Sequence, residues 1–541
     1  MQRKYLWMIV VGVTAVVLGV AAGAFIMLRT KGSPAQTAQA FLAAWSRGDL
    51  VAMRVATASA PGDFAKDYQS LHGDIGVTKV QASLGRVTKS GDNAVAPFTA
   101  ALKLPMGTWK YEGRLRLATS DQKWKVVWTP EAIHPDLHAG QHFKTTYQWP
   151  KRAGIVAADG TPIDGLGALT SVRPLVGTVG PATARQAVHI GTPYKKGDLT
   201  GQSGIQQRFD KRLAGTPAAS LSVADASNRV VKTVGSFPGK PGREVRTSLD
   251  LRMERAAANA LQGQSKPTSF VAMRPATGQI LAVANVPGGF DRAMQGTYPP
   301  GSTFKVVTAY ALLRSGLSPD AKVECPKVAD VGGQKIHNAK GEHVGSMTFK
   351  EALAQSCNTA FALQTQKLLS PSKLVSAANL FGFNQKIDPG VRTNAGSFPA
   401  PRGDAEMAVA GFGQGRDLAN ALTMAGVAAG VASGTWRPPA LVIDPRVSQK
   451  AKAGRLDPAS ASRLTDMMRQ VVISGTAKPA GLPPGTAGKT GTAEFGGGKK
   501  LRSHSWFMGF RGDVAFAVIV EGGGFGAKVA APIATRFLKA L

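Results

Sequence analysis

The order of apolar and polar residues divides the chain into segments of different period. Residues 5–28 contain no charged side chain, and as a helix they would extend about 36 Å, enough to cross a bilayer core of about 30 Å. Residues 34–149 begin with an amphipathic helical pattern around Phe41 and continue with alternating stretches such as 109–117. That change of period predicts a helix followed by half-buried antiparallel strands. Residues 150–242 are rich in glycine and proline and contain short strand patterns.

The C-terminal half of the chain predicts one mixed α/β domain. Residues 243–265 contain a good helical pattern over 252–262, with Asp250 near its start. From residue 266 to residue 541, strand patterns lie at both ends and helical patterns lie between them. We therefore expect the first and last strands of this domain to share one sheet, with helices packed on it.

The charge of the chain argues against nucleic-acid binding. The chain has 65 lysines and arginines against 33 aspartates and glutamates, a net charge of +32 over 541 residues. Because about a quarter of the residues of a typical domain are charged, equally of both signs, the basic residues are ordinary in number and the acids are depleted. The longest adjacent basic runs are pairs, such as Lys195-Lys196. A cationic protein near an anionic surface is a better interpretation than a nucleic-acid reader, and we expect no nucleic-acid partner.

The N-terminus has two interpretations, an uncleaved membrane anchor or a secretory signal. The apolar region of a signal is usually about 7–15 residues long, whereas this one has 24. Ala38-Gln39-Ala40 imitates a cleavage site but lies ten residues past the apolar run. The sequence therefore favours an anchor, although the basic residues flanking it are equal in number on the two sides and leave its orientation open.

A serine and a lysine stand three residues apart where a helical pattern begins. Pro300-Gly301 interrupts the chain, so we expect the helix to start at about Ser302. Ser302 and Lys305 then share one helix face. A serine hydroxyl is a poor nucleophile without a nearby base, and Lys305 can be that base if burial and a second cation lower its pKa. The spacing alone is weak evidence, because Ser120 and Lys123 repeat it.

Two further motifs supply specificity. Ser356-Cys357-Asn358 follows Ser302 by 54 residues, and Lys489-Thr490-Gly491-Thr492 follows Ser356 by 133 residues and opens an apparent strand. This order of S-x-x-K, S-x-N and K-T-G resembles that of the serine penicillin-recognising enzymes. On these motifs the chain is identified as similar to the class B penicillin-binding proteins.

The resemblance implies a role for each residue of the first two motifs. Ser302 attacks a D-Ala-D-Ala-type carbonyl and forms an acyl-enzyme, and Lys305 accepts its proton. Ser356 relays that proton to the leaving amine. Asn358 hydrogen-bonds the substrate amide and holds Lys305.

The third motif is implied to bind the substrate. Lys489 supplies positive charge beside the substrate carboxylate and keeps Lys305 neutral, while the hydroxyls of Thr490 and Thr492 bind that carboxylate. The backbone N–H groups of Ser302 and Thr492 are implied to form the oxyanion hole. Gly491 is expected to let the substrate backbone approach the strand.

Similarity extends beyond these motifs. Arg152-Ala153-Gly154-Ile155 looks like part of the pedestal of class B penicillin-binding proteins, and Trp128-Thr129-Pro130 looks like the end of the nuclear transport factor 2-like domain of one subgroup. The implied architecture is α+β, or mixed α/β, with an antiparallel sheet flanked by helices in its last domain. Its parts are a cytoplasmic tail (1–4), a transmembrane anchor (5–28), a nuclear transport factor 2-like domain (34–149), a pedestal of dimerisation type (150–242), a connecting segment (243–265) and a transpeptidase domain (266–541).

Cys357 departs from the family pattern, which commonly has a small polar residue between the serine and the asparagine. The only other cysteine, Cys325, lies 32 residues earlier, and the compartment implied by the resemblance is oxidising. We hypothesise a Cys325–Cys357 disulfide; two free, buried thiols are the alternative.

The function implied is that of a monofunctional peptidoglycan D,D-transpeptidase and target of β-lactams. Its substrates would be stem peptides on lipid-linked or nascent glycan, with a separate integral-membrane glycosyltransferase as partner and no cofactor or metal. Cross-linking occurs outside the cell, so the protein would be a single-pass protein of the cell membrane with most of the chain extracytoplasmic. A β-lactam sensor or hydrolase, and a largely structural cell-wall scaffold, are the alternatives.

Overall fold

The computed structural model describes residues 32–165, 169–339, 345–496 and 502–541. The apolar segment 5–28, predicted to be a membrane anchor, lies outside these residues. Within the described ranges, no helix combines the length and the apolar character needed to cross a bilayer.

Helices occur along the whole described chain, several of them starting at a capping side chain or a proline. In chain order they are α1 Pro34–Arg47, α2 Leu50–Val55, α3 Phe64–Gly73, α4 Arg173–Val176, α5 Ala184–Ile190, α6 Gly204–Arg208, α7 Asp210–Ala214, α8 Leu251–Ala260, α9 Arg292–Gln295, α10 Lys305–Arg314, α11 Phe349–Ala354, α12 Asn358–Leu368, α13 Pro371–Leu380, α14 Gly403–Ala410, α15 Ala421–Ser433, α16 Pro458–Ile473 and α17 Ala530–Lys539.

Strands form several sheets, two of them with five strands. In chain order they are β1 Lys79–Leu84, β2 Thr88–Ser90, β3 Asn93–Leu104, β4 Gly107–Ser120, β5 Lys123–Val127, β6 His142–Gln148, β7 Ile155–Val156, β8 Val179–Pro181, β9 Leu199–Gly201, β10 Ala218–Ala224, β11 Val230–Phe237, β12 Val245–Thr247, β13 Thr268–Met273, β14 Ile280–Val286, β15 Lys322–Cys325, β16 Val328–Val331, β17 Gln334–His337, β18 Gly345–Thr348, β19 Thr435–Trp436, β20 Val442–Asp444, β21 Gly454–Arg455, β22 Ala487–Phe495, β23 Arg502–Arg511 and β24 Val514–Val520.

The chain divides into two compact units, which are described separately. The N-terminal unit consists of the chain up to Lys151 with Ala184–Lys196 and Gly215–Pro241, and the C-terminal unit consists of Arg152–Thr183, Gly197–Ala214 and Gly242–Leu541.

The N-terminal unit has the predicted helix-and-sheet arrangement. Ser33 caps α1 by accepting a hydrogen bond from the N–H of Gln36, and the left-handed Gly48 ends that helix. Strands β1, β3, β4 and β5 form an antiparallel sheet, with β2 paired to β3. Buried and exposed residues alternate along almost the whole of β3, so one face of the sheet covers an apolar core. The core is rich in aromatic side chains, including Phe41, Trp45 and Phe98.

A five-stranded antiparallel sheet of order β14-β13-β24-β23-β22 forms the centre of the C-terminal unit. As the sequence predicts, its strands come from the beginning and the end of this part of the chain. Strands β13 and β24 are buried at every position, and the helix α15 is buried from Ala421 to Val431. Helices therefore cover the sheet, and β22 lies at one end of the strand order.

Candidate active site

The turn that carries Ser302 differs from the predicted helix start. Residues Gly301–Phe304 form a 3₁₀ turn, and the α-helix α10 begins only at Lys305. Side chains three residues apart eclipse one another in a 3₁₀ turn, so Ser302 and Lys305 still lie on the same side. Helical backbone thus begins at Gly301, close to the predicted start at Ser302, but its first turn is a 3₁₀ turn and not an α-helical one.

Gly301 holds this turn close to β22. Its φ of +52° is left-handed, and a Cβ at this position would lie 2.7 Å from the backbone oxygen of Thr492. Its N–H donates to the backbone oxygen of Gly413 at 2.8 Å. The indole Nε1 of Trp506 donates to the oxygen of Pro299 at 3.0 Å. A side chain at position 301 would force the nucleophile turn away from the strand, which explains the glycine.

A half-buried network of polar side chains fixes the chain just before Ser302. The hydroxyl of Tyr298 donates to Glu521 at 2.7 Å, and Arg292 contacts the same carboxylate at 3.2 Å. Burial raises the pKa of Tyr298, and hydrogen bonding to Glu521 raises it further, so the phenol stays protonated and continues to donate. The ring of Tyr298 packs edge-on against His504, whose pKa is lowered by burial.

Lys305 is fully buried and points at the second motif. Its Nζ donates to the backbone oxygen of Ser356 at 2.5 Å and to Oδ1 of Asn358 at 2.6 Å, and it lies 3.3 Å from Oγ of Ser356. The same Nζ lies 5.5 Å from the centre of the Phe361 ring. The structure therefore brings the first two predicted motifs into direct contact.

Ser356 occupies a strained backbone position between α11 and α12. Its φ is +62°, a left-handed conformation that costs about 1–3 kcal/mol for a residue other than glycine. Its Oγ accepts a hydrogen bond from Nζ of Lys489 at 2.9 Å, in addition to its contact with Lys305. The hydroxyl thus lies between two buried lysines, and the strained backbone places it there.

The third motif runs along β22. Lys489 is fully buried, and its Nζ also donates to the backbone oxygen of Thr490 at 3.0 Å. Thr490 and Thr492 are two residues apart, so their side chains lie on the same face of the strand, and both line the adjacent cleft. The hydroxyl of Thr490 lies 2.6 Å from that of Thr476, and Oγ1 of Thr492 accepts from the N–H of Gly526 at 3.2 Å.

Crowding at Gly491 comes from the protein itself. A Cβ there would lie 2.9 Å from Cγ2 of Thr303, 3.0 Å from Cβ of Trp506 and 3.2 Å from the oxygen of Pro300. The glycine therefore allows the nucleophile turn to pack directly on β22. Its expected second role, close approach of a substrate backbone, stays a prediction.

A cleft of about 720 Å³ collects the exposed parts of these motifs. Ser302, Ser356, Asn358, Thr490 and Thr492 line it, while Lys305, Lys489 and Gly491 are buried and do not belong to its lining. Sequence reasoning missed other residues of the lining. They include Gln334, His337, Asn338 and Thr476, none of which belongs to a motif that could have revealed it.

Cys325 and Cys357 form a disulfide, with an S–S distance of 2.13 Å and Cα atoms 6.2 Å apart. The hypothesis of a disulfide is confirmed, and the alternative of two free thiols is wrong. The bond ties the end of β15 to the residue between Ser356 and Asn358. Neither cysteine is therefore a nucleophile in the cleft.

Comparison with known proteins matches three family models to the chain. The penicillin binding protein transpeptidase domain matches residues 268–539, the NTF2-like N-terminal transpeptidase domain matches residues 33–141, and the penicillin-binding protein dimerisation domain matches residues 168–247. The chain belongs to the penicillin-binding protein transpeptidases, and the resemblance to class B members with an NTF2-like extension is confirmed.

Individual relatives agree with this family. The chain is 30% identical over 361 residues to the peptidoglycan D,D-transpeptidase PbpA of Mycobacterium tuberculosis, covering 55% of this chain and 72% of that protein. It is 29% identical over 397 residues to the stage V sporulation protein D of Bacillus subtilis, covering 63% of this chain and 60% of that protein. Pseudomonas aeruginosa PBP2 has a similar structure, with a TM-score of 0.61, 25% identity and coverage of 73% of this chain and 96% of that chain.

Proposed function

We propose that this chain is a peptidoglycan D,D-transpeptidase and that Ser302 forms its acyl-enzyme. The observation that carries the proposal is the convergence of Lys305 and Lys489 on the hydroxyl of Ser356, beside the turn that presents Ser302. Burying two amines against one hydroxyl is costly for a protein. A purely structural role would be served better by apolar side chains, whereas proton transfer requires amines at this place.

Lys305 is the general base in this proposal. Both lysines are fully buried, and two ammonium groups bonded to one hydroxyl would repel each other, which favours one charged and one neutral amine. If Lys305 is the neutral one, its N–H groups donate to the backbone oxygen of Ser356 and to Oδ1 of Asn358. Its nitrogen can then accept the proton of Ser302.

The reaction has two balanced halves. In the first, a bond forms between Oγ of Ser302 and the carbonyl carbon of the penultimate D-alanine, and the bond to the nitrogen of the terminal D-alanine breaks. The proton of Ser302 passes through Lys305 and Ser356 to that leaving nitrogen. In the second half, an acceptor amine attacks the ester carbonyl, the bond to Oγ breaks, and Ser302 recovers a proton from the amine.

Substrate binding is assigned to β22. Lys489 supplies positive charge, and Thr490 and Thr492 supply hydroxyls for the terminal carboxylate. Because β22 ends the strand order in the described part of the sheet, an extended peptide can pair along it as an added strand. The N–H groups of Ser302 and Thr492 are the proposed oxyanion hole.

Location and partners follow from the same proposal. Residues 5–28 would anchor the chain in the membrane. The rest of the chain would lie beside anionic lipids and wall polymers, to which its net charge of +32 attracts it. One solved structure of this fold is a complex of Helicobacter pylori PBP2 with MreC, and another concerns a peptidoglycan synthase complex that coordinates polymerization and crosslinking. A separate membrane glycosyltransferase is therefore a reasonable partner to test here.

Covalent labelling with fluorescent penicillin tests the proposal. We expect Ser302→Ala to abolish labelling and the release of D-alanine from a pentapeptide donor. Ser120→Ala is the matched control, because Ser120 has the same spacing to a lysine but lies at the end of β4, and it should label normally. Undiminished labelling of Ser302→Ala would refute the nucleophile. Rapid turnover of the labelled enzyme without cross-linking would indicate a hydrolase instead.

A further inference from the structure

The first turn of α12 is capped by a residue from outside the helix. The backbone N–H groups of Asn358 and Thr359 both donate to Oδ1 of Asn338, at 2.9 and 3.1 Å. The first N–H groups of a helix have no partner within it, and a capping oxygen normally comes from the residue just before the helix. That residue is Cys357, which offers only its disulfide sulfur, to the N–H of Ala360 at 3.2 Å.

The side chain of Asn338 is itself fixed in orientation. Its Nδ2 donates to the backbone oxygen of Pro326 at 3.0 Å and to the hydroxyl of Thr359 at 3.1 Å. Because a backbone oxygen can only accept, the amide cannot rotate by half a turn without losing this bond and both bonds to the helix. Asn338 therefore offers α12 an acceptor at a defined position.

The residue before Asn338 fixes the side chain of Asn358. The backbone oxygen of His337 accepts from Nδ2 of Asn358 at 3.0 Å, which directs Oδ1 of Asn358 toward Nζ of Lys305 at 2.6 Å. Two consecutive residues at the end of β17 thus hold both the backbone and the side chain of Asn358. A shift of this strand end would alter what faces Lys305.

We infer that Asn338 is a positioning residue for acylation: it holds the start of α12 so that Asn358 and Ser356 meet Lys305 in the geometry that proton transfer needs. The inference rests on the proposed function, because it gives a purpose to that geometry. Asn338 lies 20 residues before Asn358 and outside every motif, at the edge of the cleft.

The test separates catalytic positioning from simple helix capping. We expect Asn338→Ala to lower the first-order rate constant of acylation by penicillin by about 10- to 100-fold, as small misplacements of catalytic groups do. The dissociation constant of the initial penicillin complex should change by less than about threefold, and the midpoint of the pH profile of acylation should move by about half a unit or more. Stopped-flow labelling across pH gives all three quantities.

Two further variants keep the test decisive. Asn338→Asp retains an oxygen that can accept from both N–H groups, but its second oxygen faces the backbone oxygen of Pro326, which can only accept, so it should restore the rate in part. Ser370→Ala removes the analogous cap of α13, where Ser370 accepts from the N–H of Lys373 at 3.3 Å, and should lower the melting temperature without changing acylation.

Outcomes for this inference and for the proposed function are distinct. If Asn338→Ala and Asn338→Asp acylate at the wild-type rate with an unchanged pH profile while Ser302→Ala remains unlabelled, only the inference is overturned. If Asn338→Ala does not fold, Asn338→Ser decides, because its side chain is one atom shorter and withdraws the acceptor from both N–H groups. A wild-type rate and pH profile in Asn338→Ser would then overturn the inference. Labelling of Ser302→Ala would instead overturn the proposed function.

Discussion

The two units of this protein bury polar groups in opposite ways. The N-terminal unit buries few polar side chains, among them Thr57 and His134, beneath a core of aromatic residues. The C-terminal unit buries Lys305 and Lys489 completely, together with the carboxyl groups of several acidic residues. One unit is thus stabilised by alternation and apolar packing, whereas the other retains costly groups that packing alone does not explain. The two buried lysines meet at Ser356, which lines the cleft of the C-terminal unit, and this locates function there.

Lys305→Met tests this contrast with the largest expected effect. The variant removes the proposed base and leaves an apolar side chain of similar length, so acylation by penicillin should fall by about 10²–10⁴-fold. The variant leaves the backbone oxygen of Ser356 and Oδ1 of Asn358 without the hydrogen bonds from Lys305. It also removes the repulsion between two buried amines, so the melting temperature should change little. Labelling kinetics and thermal unfolding measure the two effects. A variant that labels normally, or that loses stability together with labelling, would contradict the assignment.

Phe98→Ala tests whether apolar packing stabilises the N-terminal unit independently of the cleft. Phe98 is buried in the aromatic core of the N-terminal unit, 5.9 Å from the ring of Trp45, and its ring fills the space left by Gly113. Truncation should cost about 3–5 kcal/mol and lower the unfolding transition of that unit in calorimetry. The stoichiometry of penicillin labelling below that transition should be unchanged. If Phe98→Ala lowered penicillin labelling as well as stability, packing in the N-terminal unit and labelling in the C-terminal unit would not be independent.

Removal of the disulfide should lower acylation less than Lys305→Met does. The bond closes a loop of 32 residues, for which loop-closure entropy gives a stabilisation of about 3–4 kcal/mol. In the double variant Cys325→Ala/Cys357→Ser, the new serine can still cap α12. We therefore expect a lower melting temperature with acylation reduced by less than about tenfold. Loss of acylation as complete as in Lys305→Met would show that the disulfide, and not Asn338, holds α12.

Asp417→Asn should have the smallest effect, and it depends on pH. Burial raises the pKa of Asp417 to about 9, and the nearby charge of Glu406 adds to the shift; among the described residues its Oδ2 has no hydrogen-bond partner. The unfolded carboxyl ionises near pH 4, so the folded state binds an extra proton between about pH 4 and pH 9, and stability falls as pH rises through that window.

The amide of Asp417→Asn does not ionise and removes this loss. We expect the variant to melt about 2–5 °C above the wild type at pH 8 and close to it at pH 4. A constant difference across this range would show that ionisation of Asp417 is not responsible.

Local patterns predicted the elements, and long-range contacts decided the details. The alternation of residues 109–117 predicted β4, and the strand patterns at both ends of residues 266–541 predicted a sheet built from both ends of that region. The 3₁₀ turn before α10 was not predicted, because the left-handed Gly301 in it depends on contacts with β22 and Gly413.

The motif residues of the site were predictable from their spacing, but the contacts and backbone conformations that hold them in place were not. Asn338 meets Asn358 only after a hairpin brings them together, and the left-handed φ of Ser356 has no signature in a serine. The disulfide could be hypothesised but not decided, because two cysteines 32 residues apart are equally compatible with separate thiols.

Mass analysis of the wild-type protein after penicillin treatment tests the central claim most directly. Digestion and sequencing of the modified peptide locate the adduct to a single residue. The account predicts one adduct per chain, equal in mass to intact penicillin and carried by Ser302, with the Cys325–Cys357 disulfide still closed. An adduct on any other residue, or no adduct at a concentration that labels other penicillin-binding proteins, would contradict it.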